Sequence, residues 1–294
     1  MNYQVEVEYN AGAVLGEGAL WHLSEKKVYW VDIEKCLLHI YDPATKENKS
    51  FSTNSKIGTV VPVTGGGALV ALQKGLHFMD TTTGELKFFN DPIQDGNIRF
   101  NDGKCDPAGR FWVGTMHLET KPGVAKLYML DHDLSVHSKL EGLSISNGIT
   151  WSSDGRKMFF IDTPTKEVVM FDYDITSGNI SNKKVVVTIP GDSGLPDGMT
   201  IDAEDKLWVA LYGGGAICRF DPISGEMLQK VEVPAPKTTS CAFGGPDLKT
   251  LFITTATDGM DKEDLEKYPL SGSLFSVETE VAGVAASFFE LRQD

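Results

Sequence analysis

Several things are scarce in this chain of 294 residues. Basic side chains are outnumbered: 27 Lys and Arg against 41 Asp and Glu leave a formal net charge of −14. That balance excludes a phosphate-binding surface, which is built from Lys and Arg, so no nucleic-acid partner is expected. There are four cysteines, Cys36, Cys105, Cys218 and Cys241, and none forms a CxxC pair, so zinc-ribbon and thioredoxin-type sites are excluded. No apolar run reaches membrane-spanning length, and no membrane partner is expected. The opening MNYQVEVEYN is neither basic nor apolar enough for a signal peptide, which predicts a cytoplasmic protein with reduced thiols. Helical periodicity is nearly missing. The one candidate is Asp261 to Lys267 (DKEDLEK), stopped by Pro269, a short surface turn or lid. No GxSxG elbow, HExxH pair or GxxxxGK[ST] loop occurs. Asp172 and Asp174 begin like an EF-hand loop, but Lys183 stands at its twelfth position.

What is present is a repeat. RFNDGKCDPAGRFWVGTM, from Arg99 to Met116, reads as a strand over Asn101 to Cys105, a turn over Asp106 to Arg110, and a second strand over Phe111 to Met116. The pattern returns at Asn147 (NGITWSSDGRKMFFID) and Asp197 (DGMTIDAEDKLWVALY). It returns more faintly at Glu17 and Ser240, and as GGGALVAL from Gly65 to Leu72. Aligned on the second strand, the copies fall at Tyr29, Ala68, Phe111, Phe159, Leu207 and Leu251, separated by 39, 43, 48, 48 and 44 residues. Most copies continue into a third strand closed by Asp and a Gly-containing turn, as in LLHIYDPATKE and ICRFDPISGE. Periods of about 40–50 residues with four strands each predict an all-β, six-bladed β-propeller with four-stranded antiparallel blades. Residues 1–294 form one domain in this reading. Tyr3 to Tyr9 alternates like a half-buried strand, and the C-terminal ASFFEL also reads as one, so N- and C-terminal strands are expected to close the ring in the last blade.

In a propeller the first strand of each blade lines a central channel, so side chains far apart in sequence meet there. Glu17, Asn101, Asn147 and Asp197 occupy equivalent positions, ten or twelve residues before their alignment marks. Two carboxylates converging on one axis repel, and a hard divalent cation, Ca²⁺, Mg²⁺ or Mn²⁺, resolves that conflict with oxygen ligands. Arg99, two residues before Asn101, shares its side of the strand and suits a substrate hydroxyl or carboxylate. His22 and His117 are candidates for the channel rim, and Cys241 for the pocket wall.

At these residues the chain resembles the senescence marker protein / gluconolactonase / regucalcin family of six-bladed propellers. RFNDGKCDPAGRFWVGTM, SNGITWS, PDGMTID and LWVALYGGG carry the resemblance, in order, over almost the whole length. It implies one divalent metal ion, Ca²⁺ first, with Zn²⁺, Mg²⁺ or Mn²⁺ as alternatives, held by Glu17, Asn147 and Asp197. It also implies substrate contacts from Arg99, Asn101 and Glu119, with Asp197 as proton donor or acceptor. The expected activity is metal-dependent hydrolysis of a sugar lactone such as gluconolactone. A non-catalytic calcium-binding propeller and a metal-dependent phosphotriester hydrolase are the alternatives. The departures are Gly18 after Glu17 and HLETKPG after GTM, and the second bears on substrate choice.

Overall fold

In the computed structural model, which describes residues 3–292, the strands form six four-stranded antiparallel sheets. Five of them follow the chain without crossovers, over residues 16–52, 57–90, 98–143, 146–188 and 195–232. The sixth joins Thr238–Gly244, Thr250–Thr255 and Leu274–Glu278 to an outermost strand from the other terminus, Glu6–Tyr9. All six alignment marks lie on the second strand of a blade: Lys27–Asp32, Ala68–Leu72, Phe111–His117, Lys157–Asp162, Leu207–Tyr212 and Thr250–Thr255.

The ring is closed as expected from the N-terminal side, with Glu6 opposite Ser276 and Val7 opposite Phe275. The C-terminal run takes another course. Because Glu6–Tyr9 already covers the edge of the sixth blade, ASFFEL has no edge to join, and it crosses the ring as a strap. Phe289 is fully buried in the core of the second and third blades, and its N–H donates to Pro62 O at 2.8 Å. Glu290 N–H donates to Gly109 O at 2.9 Å, and Ala203 N–H donates to Ala282 O at 2.8 Å. Phe288 packs against His22 at 4.8 Å between ring centroids. A few backbone bonds and one buried aromatic ring thus hold blades one, two, three and five to a single segment.

The blades pack through their second strands, where Trp30, Trp112 and Trp208 are fully buried. Two buried carboxylates bind this packing to the turns. Asp106 accepts from Trp112 Nε1 at 2.9 Å, Arg110 Nε at 2.8 Å and Tyr173 OH at 2.5 Å. Asp202 accepts from Trp208 Nε1 at 2.9 Å and Arg219 Nε at 2.7 Å. Buried charges persist where every lone pair is used in this way. The Asp of the third-to-fourth-strand turns works locally: Asp80 accepts from Thr82 N at 2.7 Å, and Asp221 from Ile223 N at 2.9 Å. The DKEDLEK segment forms the helix Lys262–Lys267, capped by Asp261, whose side chain accepts from Asp264 N at 2.9 Å. No helix is long and apolar enough to cross a membrane among the described residues.

Candidate active site

The first strands, Gly16–His22, Ile57–Pro62, Ile98–Cys105, Ser146–Trp151, Leu195–Ile201 and Thr238–Gly244, each touch the first strand of the next blade, so they surround the axis. All six carry an irregularity in pairing with their second strand, between Glu17 and Leu20, Ile57 and Thr59, Phe100 and Gly103, Asn147 and Ile149, Pro196 and Met199, and Thr238 and Ser240. A bulge inserts an extra residue and re-aims the side chains beside it. The alternation that would send consecutive side chains to opposite faces is thereby broken where Glu17, Asn101, Asn147 and Asp197 stand.

The residue after each bulged position governs how close the strands come. A Cβ on Gly148 would sit 2.7 Å from Asp197 O, and one on Gly198 would sit 2.6 Å from Ser240 Oγ. Glycine at these points lets the first strands approach closely enough to bring Asn147 beside Asp197. Side-chain bonds then run round the hub. Thr59 Oγ1 donates to Gly103 O at 3.1 Å, and Asn101 Nδ2 donates to Ser146 O at 2.9 Å. Asn147 Nδ2 donates to Thr163 Oγ1 at 3.0 Å, Thr163 Oγ1 donates to Pro196 O at 2.8 Å, and Thr239 Oγ1 donates to Gly16 O.

Glu17, Arg99, Asn101, Asn147 and Asp197 are all buried, between 5% and 7% exposed. Arg99 Nη1 donates to Asn101 Oδ1 at 2.7 Å and to Phe100 O at 2.9 Å. Both amides therefore use their N–H groups on the protein, which settles which way they face. Asn147 Oδ1 and Asp197 Oδ1 are left buried without any hydrogen-bond partner. Glu17 Oε2 accepts only from the neighbouring Gly18 N, at 3.1 Å. Burial, then the charge of Asp102, pushes the Glu17 carboxyl up to about 8. Burial, then the charge of Glu17, holds the Asp197 carboxyl well above the usual range. Buried acceptor oxygens without donors cost several kcal/mol each, and a hard cation satisfies them where a donor is lacking. Among the described residues no three His, Cys, Asp or Glu side chains gather closely enough to bind a metal. The oxygens available to a cation at this point would be those of the Asn147 amide and the two carboxylates.

Glu119 is placed differently from the other candidates. It lies in the turn after Phe111–His117, at the Arg99 end of the channel, with its side chain 76% exposed and 3.5 Å from Lys121 Nζ. His117 ends that strand, and its Nδ1 accepts from Glu119 N at 3.0 Å. His22 sits at the opposite end of its own strand, under Phe288 of the strap, and does not rim the Arg99 end. Cys241 is fully buried against Trp208 and Phe243, its thiol pushed up to about 12 by burial, which makes it a core residue with no reactive character. Two buried groups, Asp102 and Thr163, and the half-buried Lys104 went unforeseen. The signal for Asp102 was available, because NDG at Asn101 inserts an acid where the copies at Glu17, Asn147 and Asp197 continue directly into glycine.

Six blades around a polar, oxygen-lined hub define a propeller whose candidate site lies on its axis. The chain belongs to the SMP-30/Gluconolactonase/LRE-like family, whose description matches residues 15–257. Regucalcin of Danio rerio is 42% identical over 90% of this chain and 90% of its own length. A Bacillus subtilis (strain 168) protein named as a proposed sugar lactone lactonase is 40% identical over 94% of this chain and 95% of its own. The crystal structure of a regucalcin from Agrobacterium tumefaciens, described as a calcium-binding protein, superposes with a TM-score of 0.95 at 28% identity, covering 99% of both chains.

Proposed function

We propose that the protein is a metal-dependent lactonase that opens a sugar lactone of the aldonolactone type, gluconolactone among them, with one divalent cation held by Glu17, Asn147 and Asp197. The observation that carries this is the pair of buried, unpartnered oxygens, Asn147 Oδ1 and Asp197 Oδ1, beside the Glu17 carboxyl. Ca²⁺ is the first candidate for such oxygen donors, ahead of Zn²⁺, Mg²⁺ and Mn²⁺. The calcium-binding description of the Agrobacterium relative and the lactonase name of the Bacillus relative support the same reading.

A cation at this position supplies Lewis acidity toward a carbonyl oxygen and lowers the pKa of water. The chain supplies the rest. Asp197 accepts the proton of the attacking water as its oxygen bonds to the lactone carbonyl carbon, and returns it to the ring oxygen as the ring C–O bond breaks. The product is the open hydroxy acid, with every atom of the water retained in it. Arg99 and Asn101, braced on each other and on Phe100 O, hold ring hydroxyls so that the carbonyl faces the water. Glu119, exposed at the same end of the channel, reaches the outer hydroxyls of a substrate entering there. No other partner is invoked.

A panel of γ- and δ-aldonolactones and an organophosphate triester, assayed with and without EDTA, tests this. Lactone turnover abolished by EDTA and restored by Ca²⁺ or Zn²⁺ is the expected result. Turnover of the triester alone selects a phosphotriester hydrolase. Calcium binding with no turnover selects a non-catalytic calcium-binding propeller.

A further inference from the structure

Counted along the first strands from Glu17, Ile57, Asn101, Asn147, Asp197 and Thr239, one blade departs from the others. The next residue is Gly18, Gly58, Asp102, Gly148, Gly198 and Ser240 in blades one to six, and the position two further on is Leu20, Val60, Lys104, Thr150, Thr200 and Ala242. The third blade alone places a charge at either position, and it places one of each sign. Asp102 is 6% exposed; its Oδ1 accepts from Gly103 N at 2.8 Å, and its Oδ2 is buried with no hydrogen-bond partner. Lys104 Nζ donates to Met199 O of the fifth blade and lines a cavity of about 80 Å³ with Thr150 and Thr200, closed by Val284 to Ser287 of the C-terminal strap. Asp102 shares its strand with Lys104, two residues on, and Lys104 reaches Met199, which lies two residues beyond Asp197 on the first strand of the fifth blade.

We propose that Asp102 is a positioning residue of the cation centre: its unpartnered Oδ2 strengthens cation binding from outside the Glu17, Asn147 and Asp197 set, and Lys104 limits that effect from beneath. This rests on the reading of the hub as a cation site. Two opposite charges serving structure alone would not need to sit where the blades of Glu17, Asn147 and Asp197 carry glycine. The arrangement fixes opposite signs for two substitutions. Outer partners of a metal site change its affinity by about 10–100-fold when altered.

The test is calorimetric titration of the EDTA-treated full-length protein with Ca²⁺ alone, for wild type, Asp102→Asn, Lys104→Met and the double variant, with thermal unfolding in EDTA as the control for folding. Asp102→Asn is expected to weaken Ca²⁺ binding by about 10–100-fold while the metal-free protein unfolds no earlier than wild type. Lys104→Met is expected to tighten binding, and the double variant to return within about threefold of wild type. Unchanged Ca²⁺ affinity in a folded Asp102→Asn, with wild type binding normally, overturns this assignment and leaves the lactonase reading standing. A wild type that binds no divalent cation overturns both. Where Lys104→Met alone fails to fold, Asp102→Asn and the double variant decide the matter.

Discussion

Replacing Asp197 by asparagine should make the metal-free protein more stable while ending its turnover. In the unfolded chain an aspartate ionises near 3.8, but in the fold burial and the charge of Glu17 hold Asp197 well above that value. The carboxyl therefore stays protonated in the native hub at pH values where the unfolded chain has released its proton. Stability from a raised carboxyl is fully present below the unfolded value and is lost as pH rises toward the folded one. At pH 7.5 the native hub gives up this stability, and at pH 5 it gives up less. Asparagine has the same shape and no proton to lose, and it removes most of that loss. The gain at pH 7.5 is about 1–3 kcal/mol, the size of the penalty on an unsatisfied buried polar group, or roughly 2–6 °C in Tm for a chain of this size. Differential scanning calorimetry in EDTA at pH 5 and pH 7.5 reads it, and the gain should shrink at pH 5. Saturating Ca²⁺ should reverse the order, because only wild type retains the full ligand set. Lactone turnover should fall by at least 10²–10⁴-fold, the range for loss of a general base. A metal-free Asp197→Asn protein less stable than wild type at pH 7.5, or one that keeps its turnover, would refute the reasoning.

Other consequences follow from the packing. Gly148→Ala puts a methyl group 2.7 Å from Asp197 O and 2.8 Å from Met199 Cβ; separating the two strands should cost about 1–3 kcal/mol and weaken Ca²⁺ binding, read by denaturant unfolding and titration. Asp106→Ala removes the acceptor shared by Arg110, Trp112 and Tyr173 and leaves a buried guanidinium unpaired. A loss of about 3–5 kcal/mol in urea unfolding is expected, with turnover per folded molecule unchanged. Phe289→Ala empties a fully buried site under the strap and should cost about 3–5 kcal/mol in the same assay, again without altering turnover in the folded fraction.

The architecture was open to reading because it repeats. A strand pair with an aromatic second member, a turn built on Asp and Gly, and spacing near one blade placed every second strand where it is found. The N-terminal strand was legible by alternation, although it pairs only over Glu6–Tyr9. ASFFEL shows the limit of such patterns. Its composition suits a strand, but an edge must be available, and Glu6–Tyr9 had taken it. At the hub, Glu17, Asn101, Asn147, Asp197 and Arg99 could be aligned because they head equivalent strands, and the structure buries all five. Glu119 could be placed only by motif, since a turn residue carries no period, and it stands in solvent at the channel end. Asp102 and Lys104 escaped notice because strict alternation gives adjacent residues opposite faces. The bulge between Phe100 and Gly103 suspends that rule, and its one trace in the sequence is the acid that NDG inserts after Asn101.

The account stands on the position of one ion, and anomalous diffraction from a crystal of the full-length protein soaked in Mn²⁺ locates it directly. The predicted result is a single strong peak within bonding distance of Glu17, Asn147 Oδ1 and Asp197 Oδ1, abolished in Asp197→Asn. A peak elsewhere on the molecule, or none at the hub, would contradict it.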